Sequence, residues 1–152
     1  MTRKRMVRIP PNPAAAHWNG PVMVRGWLRV RNPWRHPLAV MILFKKWIRV
    51  RRDVGRADGF LWFEYWQRLE SLLFGMHVGW SSREKLVRFD DYESHRDIAK
   101  WAVASKFVVA MKLQTMARAD DGRIIDFGGF YMCSDESDLA EDTLFPSDAR
   151  RA

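Results

Sequence analysis

Three side chains in this chain are suited to moving or orienting a proton: His95, His77 and Tyr65. An imidazole titrates near pH 6.5 when unperturbed, so it can take and return a proton within one reaction cycle at neutral pH. His95 lies in KLVRFDDYESHRDIAKWAVASK and His77 in LLFGMHVGW. Tyr65 follows Glu64 in FLWFEYWQ, where its hydroxyl either donates to a bound oxygen or caps an aromatic core. Aromatic residues surround these groups. Trp27, Trp62, Trp66 and Trp80, with Phe89, are candidate walls of an apolar pocket, and equally candidates for core or subunit-interface positions. Arg25, with Arg29 four residues on, is placed to hold an acidic group or to face solvent.

Other chemistries lack their residues. There is no glycine-rich phosphate loop, no Gly-x-Ser-x-Gly elbow and no Cys or His pair at zinc spacing. Asp90, Asp91 and Glu93 point in different directions from a helix, which suits a solvated acidic patch better than a metal site. Phe127-Gly128-Gly129-Phe130 is too short a signal for a dinucleotide. Cys133 is the one cysteine, so no internal disulfide framework exists, and a reducing cytoplasm is the expected compartment. No basic residue lies near it in sequence to stabilise a thiolate.

The elements that must position these residues follow from hydrophobic period. Val22 to Arg31 alternates as a strand, with Gly26 on its apolar face marking a bulge or a close backbone approach. Pro37 suits the first turn of a helix running to about Val54, and the cations from Lys45 to Arg52 suit the negative end of its dipole. Phe60 to Gln67 is a second strand, with Phe60, Trp62, Glu64 and Trp66 expected on one face. Leu72 to Trp80 is a third, hairpinned to it. Ser81 and Glu84 form a capping-box pattern that opens an amphipathic helix, with Asp90-Asp91 and Glu93-Ser94 as candidate interruptions. Phe107 to Ala117 and Arg123 to Met132 are further strands, joined by the Asp120-Asp121-Gly122 turn.

At 152 residues the chain fits one domain. Residues 1–20 read as a basic extended arm, 21–132 as the folded domain and 133–152 as an acidic, loosely ordered tail. The order strand, helix, strand, strand, helix, strand is α+β and ferredoxin-like, βαββαβ on an antiparallel sheet.

The phrase Trp80-Ser81-Ser82-Arg83-Glu84, followed by Leu86, Phe89, Ser94, His95 and Arg96, resembles the dimeric α+β barrel superfamily. More narrowly, it is similar to antibiotic biosynthesis monooxygenase-like proteins over about residues 20–117. The resemblance implies a homodimer whose sheets close a barrel, with a pocket between sheet and helices in each subunit. Chemistry in that superfamily includes cofactor-independent oxygenation, haem degradation, peroxidase, dehydratase and isomerase activity, and no catalysis at all, so fold does not choose the reaction. The haem-degrading branch places a second tryptophan where this chain has Phe89 and an axial histidine where it has Ala99. Both depart, and His95, then His77, are the axial candidates left for haem.

Expected function is therefore a monooxygenase-like enzyme for an aromatic or polycyclic apolar compound, with no cofactor required. His95 or His77 would shuttle a proton, while Tyr65 or a tryptophan N–H would orient oxygen. The alternative is a non-catalytic binding or assembly protein of the same fold. A third reading rests on charge. Residues 1–56 hold 14 Lys or Arg and one acid, for a net of +13, against −5 for residues 57–152. That basic half would meet nucleic acid, a membrane surface or the acidic half of its own chain. No zinc-finger, RNP-type or helix-turn-helix pattern supports nucleic acid. The run LAVMILF is far short of the roughly 20 apolar residues a membrane span needs.

Overall fold

A computed structural model describes residues 4–134. Six strands form one antiparallel sheet in the order β1-β6-β5-β2-β4-β3. They are β1 (Arg5–Ile9), β2 (Val22–Val30), β3 (Phe60–Arg68), β4 (Leu73–Trp80), β5 (Val108–Arg118) and β6 (Ile124–Cys133). Helix α1 (Pro37–Arg56) joins β2 to β3, and the pair α2 (Arg83–Asp90) and α3 (Glu93–Ala104) joins β4 to β5. The inner order β5-β2-β4-β3 is the ferredoxin-like arrangement, so the α+β class and the βαββαβ core stand.

Both connections carry their helices to one face of the sheet. Val22 and Val24 of β2, Val78 and Trp80 of β4 and Phe127 of β6 point to that face. There they bury Val50 and Val54 of α1 and Leu86 and Phe89 of α2. Trp80 is the keystone at 1% exposure. Its ring meets Phe89 at 5.2 Å and Phe60 edge-on at 6.4 Å. Truncating a buried aromatic of this kind typically costs 3–5 kcal/mol.

Local departures from the sequence reading have local causes. The cap of α2 is Ser82, not Ser81: its Oγ accepts from the Lys85 amide at 3.3 Å. The Ser81 amide is taken by the Gly59 carbonyl at 2.8 Å, which locks the β3 entry to the β4 exit. Glu84 is thereby freed from a capping role and pairs with Arg88 at i,i+4. The helix breaks at Asp91–Tyr92, between the two interruptions read from sequence. A register shift between Phe60 and Trp62 makes Leu61 a bulge. Phe60 therefore joins the helix face with Phe63, away from Trp62, Glu64 and Trp66.

In the N-terminal segment Arg5–Ile9 pairs antiparallel with Gly129–Cys133 of β6, and Pro13–His17 forms a 3-10 helix whose Ala15 is buried in the core, so the segment is more than an extended arm. Lys4 anchors its start. The ammonium donates to the Ala102 and Ser105 carbonyls at 2.7 and 2.6 Å, at the negative end of α3. Burial, aided by nearby Arg31, pushes that ammonium below its ordinary range. Of the tail assigned to 133–152, everything from residue 135 lies outside the described residues.

The helix-free face has its own packing. Trp27, Leu73, Ala110, Tyr131 and Cys133 form a buried cluster, with Trp27 edge-on to Tyr131 at 5.8 Å. Two tryptophans of β3 lie over glycines of β4: Trp66 over Gly75 and Trp62 over Gly79, each directly opposite in register. A Cβ at either glycine would enter the indole's van der Waals envelope. Such aromatic–glycine pairs pin register on a sheet surface. Gly75→Ala should therefore cost about 1–3 kcal/mol by overpacking. In a Trp66→Ala background the same change should fall within about 0.5 kcal/mol of neutral, since the obstructing ring is gone. Urea-unfolding midpoints of the two singles and the double check this, and additive effects would refute the stacking.

Candidate functional site

The candidate site is the seam between α1 and the sheet. At the C-terminal half of α1, small β-branched residues (Val50 and Val54) let the helix close onto the sheet, and both are buried. Toward its N-terminus larger residues hold it off. Leu43, Phe44 and Trp47 face Gly26, Met76 and Leu113 across a cavity of about 390 Å³ with an almost wholly apolar lining. Gly26 of β2 lies in the floor with Leu113 and Met76 folded over it: a Cβ there would meet Leu113 Cδ1 at 3.0 Å and Met76 Cε at 3.4 Å. The volume falls in the usual range of roughly 300–1,000 Å³ for small-molecule sites.

Tyr65 stands at the edge of this cavity. Its ring lies 6.3 Å from Trp47, and its hydroxyl donates to Gln67 Oε1 at 3.1 Å. Burial pushes the phenol above its ordinary pKa, so it stays a protonated donor at neutral pH. A second, smaller cavity of about 60 Å³ adjoins the first, sharing Trp47, Met76 and Leu113 as a common wall. His95, Asp90, Trp80 and Phe89 border it. His95 Nδ1 sits 3.7 Å from Asp90 Oδ1 and 3.4 Å from the Asp90 carbonyl, and its ring packs on Phe89 at 5.5 Å. Desolvation raises the Asp90 carboxyl above its ordinary pKa and outweighs the downward pull of His95. The Nδ1 edge of the imidazole thus faces Asp90, and Nε2 lies on the opposite edge of the ring.

The residues singled out from sequence fall into two groups on opposite faces. Tyr65, His95, Trp80 and Phe89 belong to the helix face and border the two cavities. His77, Arg25, Trp62 and Trp66 lie on the helix-free face, where the Trp27 ring also packs. There Glu64, His77, Arg25 and Gln114 are consecutive cross-strand neighbours. His77 Nδ1 meets Glu64 Oε2 at 3.2 Å, away from the cavities. Sequence reasoning missed Trp47, Met76 and Leu113, which wall both cavities. The signals were present in the i,i+4 pair Leu43/Trp47 and in Gly26 on an apolar strand face. Among the described residues, no three His, Cys, Asp or Glu gather as a metal site.

No protein-family model and no curated protein sequence matches the chain significantly. Solved structures do. A candidate antibiotic biosynthesis monooxygenase from Caulobacter crescentus superposes with a TM-score of 0.56 at 13% identity, over 70% of this chain and 96% of its own. A variant of SnoaB, a cofactor-independent oxygenase from Streptomyces nogalater, gives 0.51 at 12% identity, over 66% and 95%. Rv0793 from Mycobacterium tuberculosis gives 0.51 at 14% identity, over 68% and 99%. The fold is that of the antibiotic biosynthesis monooxygenase-like proteins. At these identities the likeness establishes architecture and leaves the chemistry to the residues.

The floor of the larger cavity has no spare room at Gly26. Gly26→Val should narrow the cavity by pushing the flexible ends of Leu113 and Met76 into it, at a cost of about 1–3 kcal/mol. Titration with the fluorescent probe 1-anilinonaphthalene-8-sulfonate should show at least tenfold weaker binding than the parent protein, with the fold confirmed by circular dichroism. Unchanged probe affinity would mean that the cavity is not the apolar binding site.

Proposed function

We propose that the protein is a cofactor-independent monooxygenase-like enzyme acting on an aromatic or polycyclic apolar compound. The observation that carries this reading is the juxtaposition of an apolar cavity of about 390 Å³ with a His95–Asp90 pair on the adjoining cavity. An oxygenase without a cofactor needs an electron-rich substrate, shelter from water and a base. The apolar lining supplies shelter, and His95 supplies the base.

In this scheme the substrate is a phenol or a doubly benzylic C–H acid lying between Trp47 and the sheet. His95 Nε2 removes its acidic proton, and the carbanion or phenolate that results passes one electron to dioxygen. The substrate radical and superoxide recombine into a peroxide anion, which takes the proton back from His95. Loss of water from that hydroperoxide turns a benzylic CH2, or the ring C–H carbon para to a phenol oxygen, into a carbonyl. One oxygen atom enters the product and the other leaves as water, so the substrate supplies all four electrons. The Tyr65 hydroxyl, at the cavity edge, donates to the developing oxyanion. Asp90 orients the imidazole. His77 and Arg25 have no part in this chemistry. With the tryptophan–glycine pairs they form the face on which a second copy closes the homodimer.

Isotope labelling tests the proposal. The protein is incubated with two- and three-ring phenols and benzylic C–H acids under ¹⁸O2, and mass spectrometry should find one labelled oxygen per product. His95→Gln should lower turnover by roughly 10²–10⁴-fold, the usual contribution of a general base. Binding of the fluorescent probe should change less than threefold. Turnover unaffected by the His95 change removes the proposed base. Saturable binding without any labelled product across the panel would favour the non-catalytic binding protein.

A further inference from the structure

Helix α1 buries one side and leaves the other uncovered in an unusual way. Its inward arc, Val40, Leu43, Trp47, Val50 and Val54, meets the sheet and the cavity. Its outward arc is apolar as well. Leu38 is 66% exposed, Met41 65%, Phe44 63% and Ile48 53%, and Trp34 just ahead of the helix is 90% exposed. Helical spacing puts Leu38, Met41, Phe44 and Ile48 on one side of three successive turns. A helix apolar on both sides ordinarily has both sides covered, and an exposed apolar stripe of this length marks a contact surface.

The surrounding charge indicates what covers it. Arg35, Lys45, Arg49, Arg52 and Arg56 are exposed on or beside the same stripe. The carboxylates near them are Glu93, 3.3 Å from Arg49, and Asp53, 3.3 Å from Arg52, with Asp97 held by Lys46 on the α3 side. The patch is therefore net cationic. Phe44, Trp47 and Ile48 also line a shallow groove with Arg51, Arg52 and Arg56. An apolar strip with an exposed indole and a cationic flank is the pattern of helices that lie in a lipid interface, their apolar side in the acyl boundary and their cations at anionic headgroups. No helix among the described residues is long and apolar enough to cross a membrane, so the contact is with the surface.

We propose that the outer face of α1 docks on an anionic lipid membrane, with Trp34, Leu38, Met41, Phe44 and Ile48 inserted and Lys45, Arg52 and Arg56 at the headgroups. Phe44 and Trp47 belong both to this outer groove and to the internal cavity, so docking sets the cavity mouth against the bilayer. Resting on the function proposed above, the substrate class narrows to lipid-soluble aromatic compounds that partition into membranes and enter from the lipid side.

Flotation of the whole protein on sucrose gradients tests the docking. Vesicles of phosphatidylcholine alone are compared with vesicles containing one quarter phosphatidylglycerol. The anionic vesicles should carry the protein, with at least tenfold weaker partitioning to the neutral ones. Leu38→Glu/Met41→Glu/Ile48→Glu, at exposed positions that the fold does not need, should abolish flotation while keeping the native circular dichroism. Lys45→Gln should weaken partitioning about fivefold, the usual worth of one cation near an anionic surface. Failure to float on anionic vesicles overturns the proposal, as does a triple variant that floats normally. Concentration-dependent self-association lost in the triple variant, without flotation, would assign the stripe to a second copy. Displacement from vesicles by RNA, with tight RNA binding in their absence, would assign it to nucleic acid. Probe binding in the cavity is measured on the same samples and should be unchanged in the triple variant. Loss of docking with an intact cavity leaves the enzymatic reading standing, and an intact docking face with an empty cavity removes that reading alone.

Discussion

The architecture depends on a seam that closes at one end and stays open at the other. Val50 and Val54 let the last turns of α1 sit against Val78 and Trp80, where the core is buried and only the small cavity of about 60 Å³ remains. Two turns earlier, Trp47 and Leu43 are too large to approach so closely, and Leu113 and Met76 lie over Gly26 on the sheet opposite. Bulk on the helix holds it off the sheet and leaves an apolar void. Lost dispersion contacts make such a void costly, and closure at the other end has to offset it. Trp80, packed between Phe60 and Phe89, does much of that, and it also fixes α2 and so the position of His95.

Much of the fold was legible because period and punctuation agreed along the chain. Five strands, α1 and the amphipathic segment after Trp80 could be read from alternation, turn signals, Pro37 and the serine-rich cap. The misreadings are all one-residue events or long-range ones. The cap falls on Ser82 because the Ser81 amide is committed to Gly59, a partner 22 residues away that no local pattern reveals. Leu61 bulges because β3 and β4 slip between Phe60 and Trp62, and one extra residue reverses which face Phe60 takes. The pairing of Arg5–Ile9 with β6 joins opposite ends of the domain, and RMVRI alone reads as an extended arm.

The site was less legible, for a different reason. Sequence identifies residue types able to do chemistry, but a cavity is a place where atoms are missing. Trp47 carries no proton-transfer group, and its helical spacing alone does not mark it as the wall of a cavity. Nor could composition decide between His77 and His95. The pleat of β4 turns His77 to the helix-free face with Glu64, while the break at Asp91–Tyr92 restarts the helix so that His95 turns inward to Phe89 and Asp90. The departures at Phe89 and Ala99 gain meaning in the same way. Phe89 is consumed in packing Trp80 and His95, a role in which a larger indole would have to displace one of them.

The two faces of the sheet divide the labour of binding. On the helix-free face the tryptophans are pressed over glycines, which flattens the surface and leaves the polar row Glu64, His77, Arg25 and Gln114 between apolar rows. A flat, mixed surface of this kind suits a large rigid partner such as another sheet. On the helix face the same tryptophan-rich composition does the opposite, because Trp47 leans on Phe63 and Tyr65 at the cavity edge and props a gap open. Aromatic bulk over glycine makes a surface when the two lie on adjacent strands of one sheet. Across a helix–sheet gap aromatic bulk props a cavity open, and the proposed dimer face and the proposed small-molecule site rest on that difference in geometry.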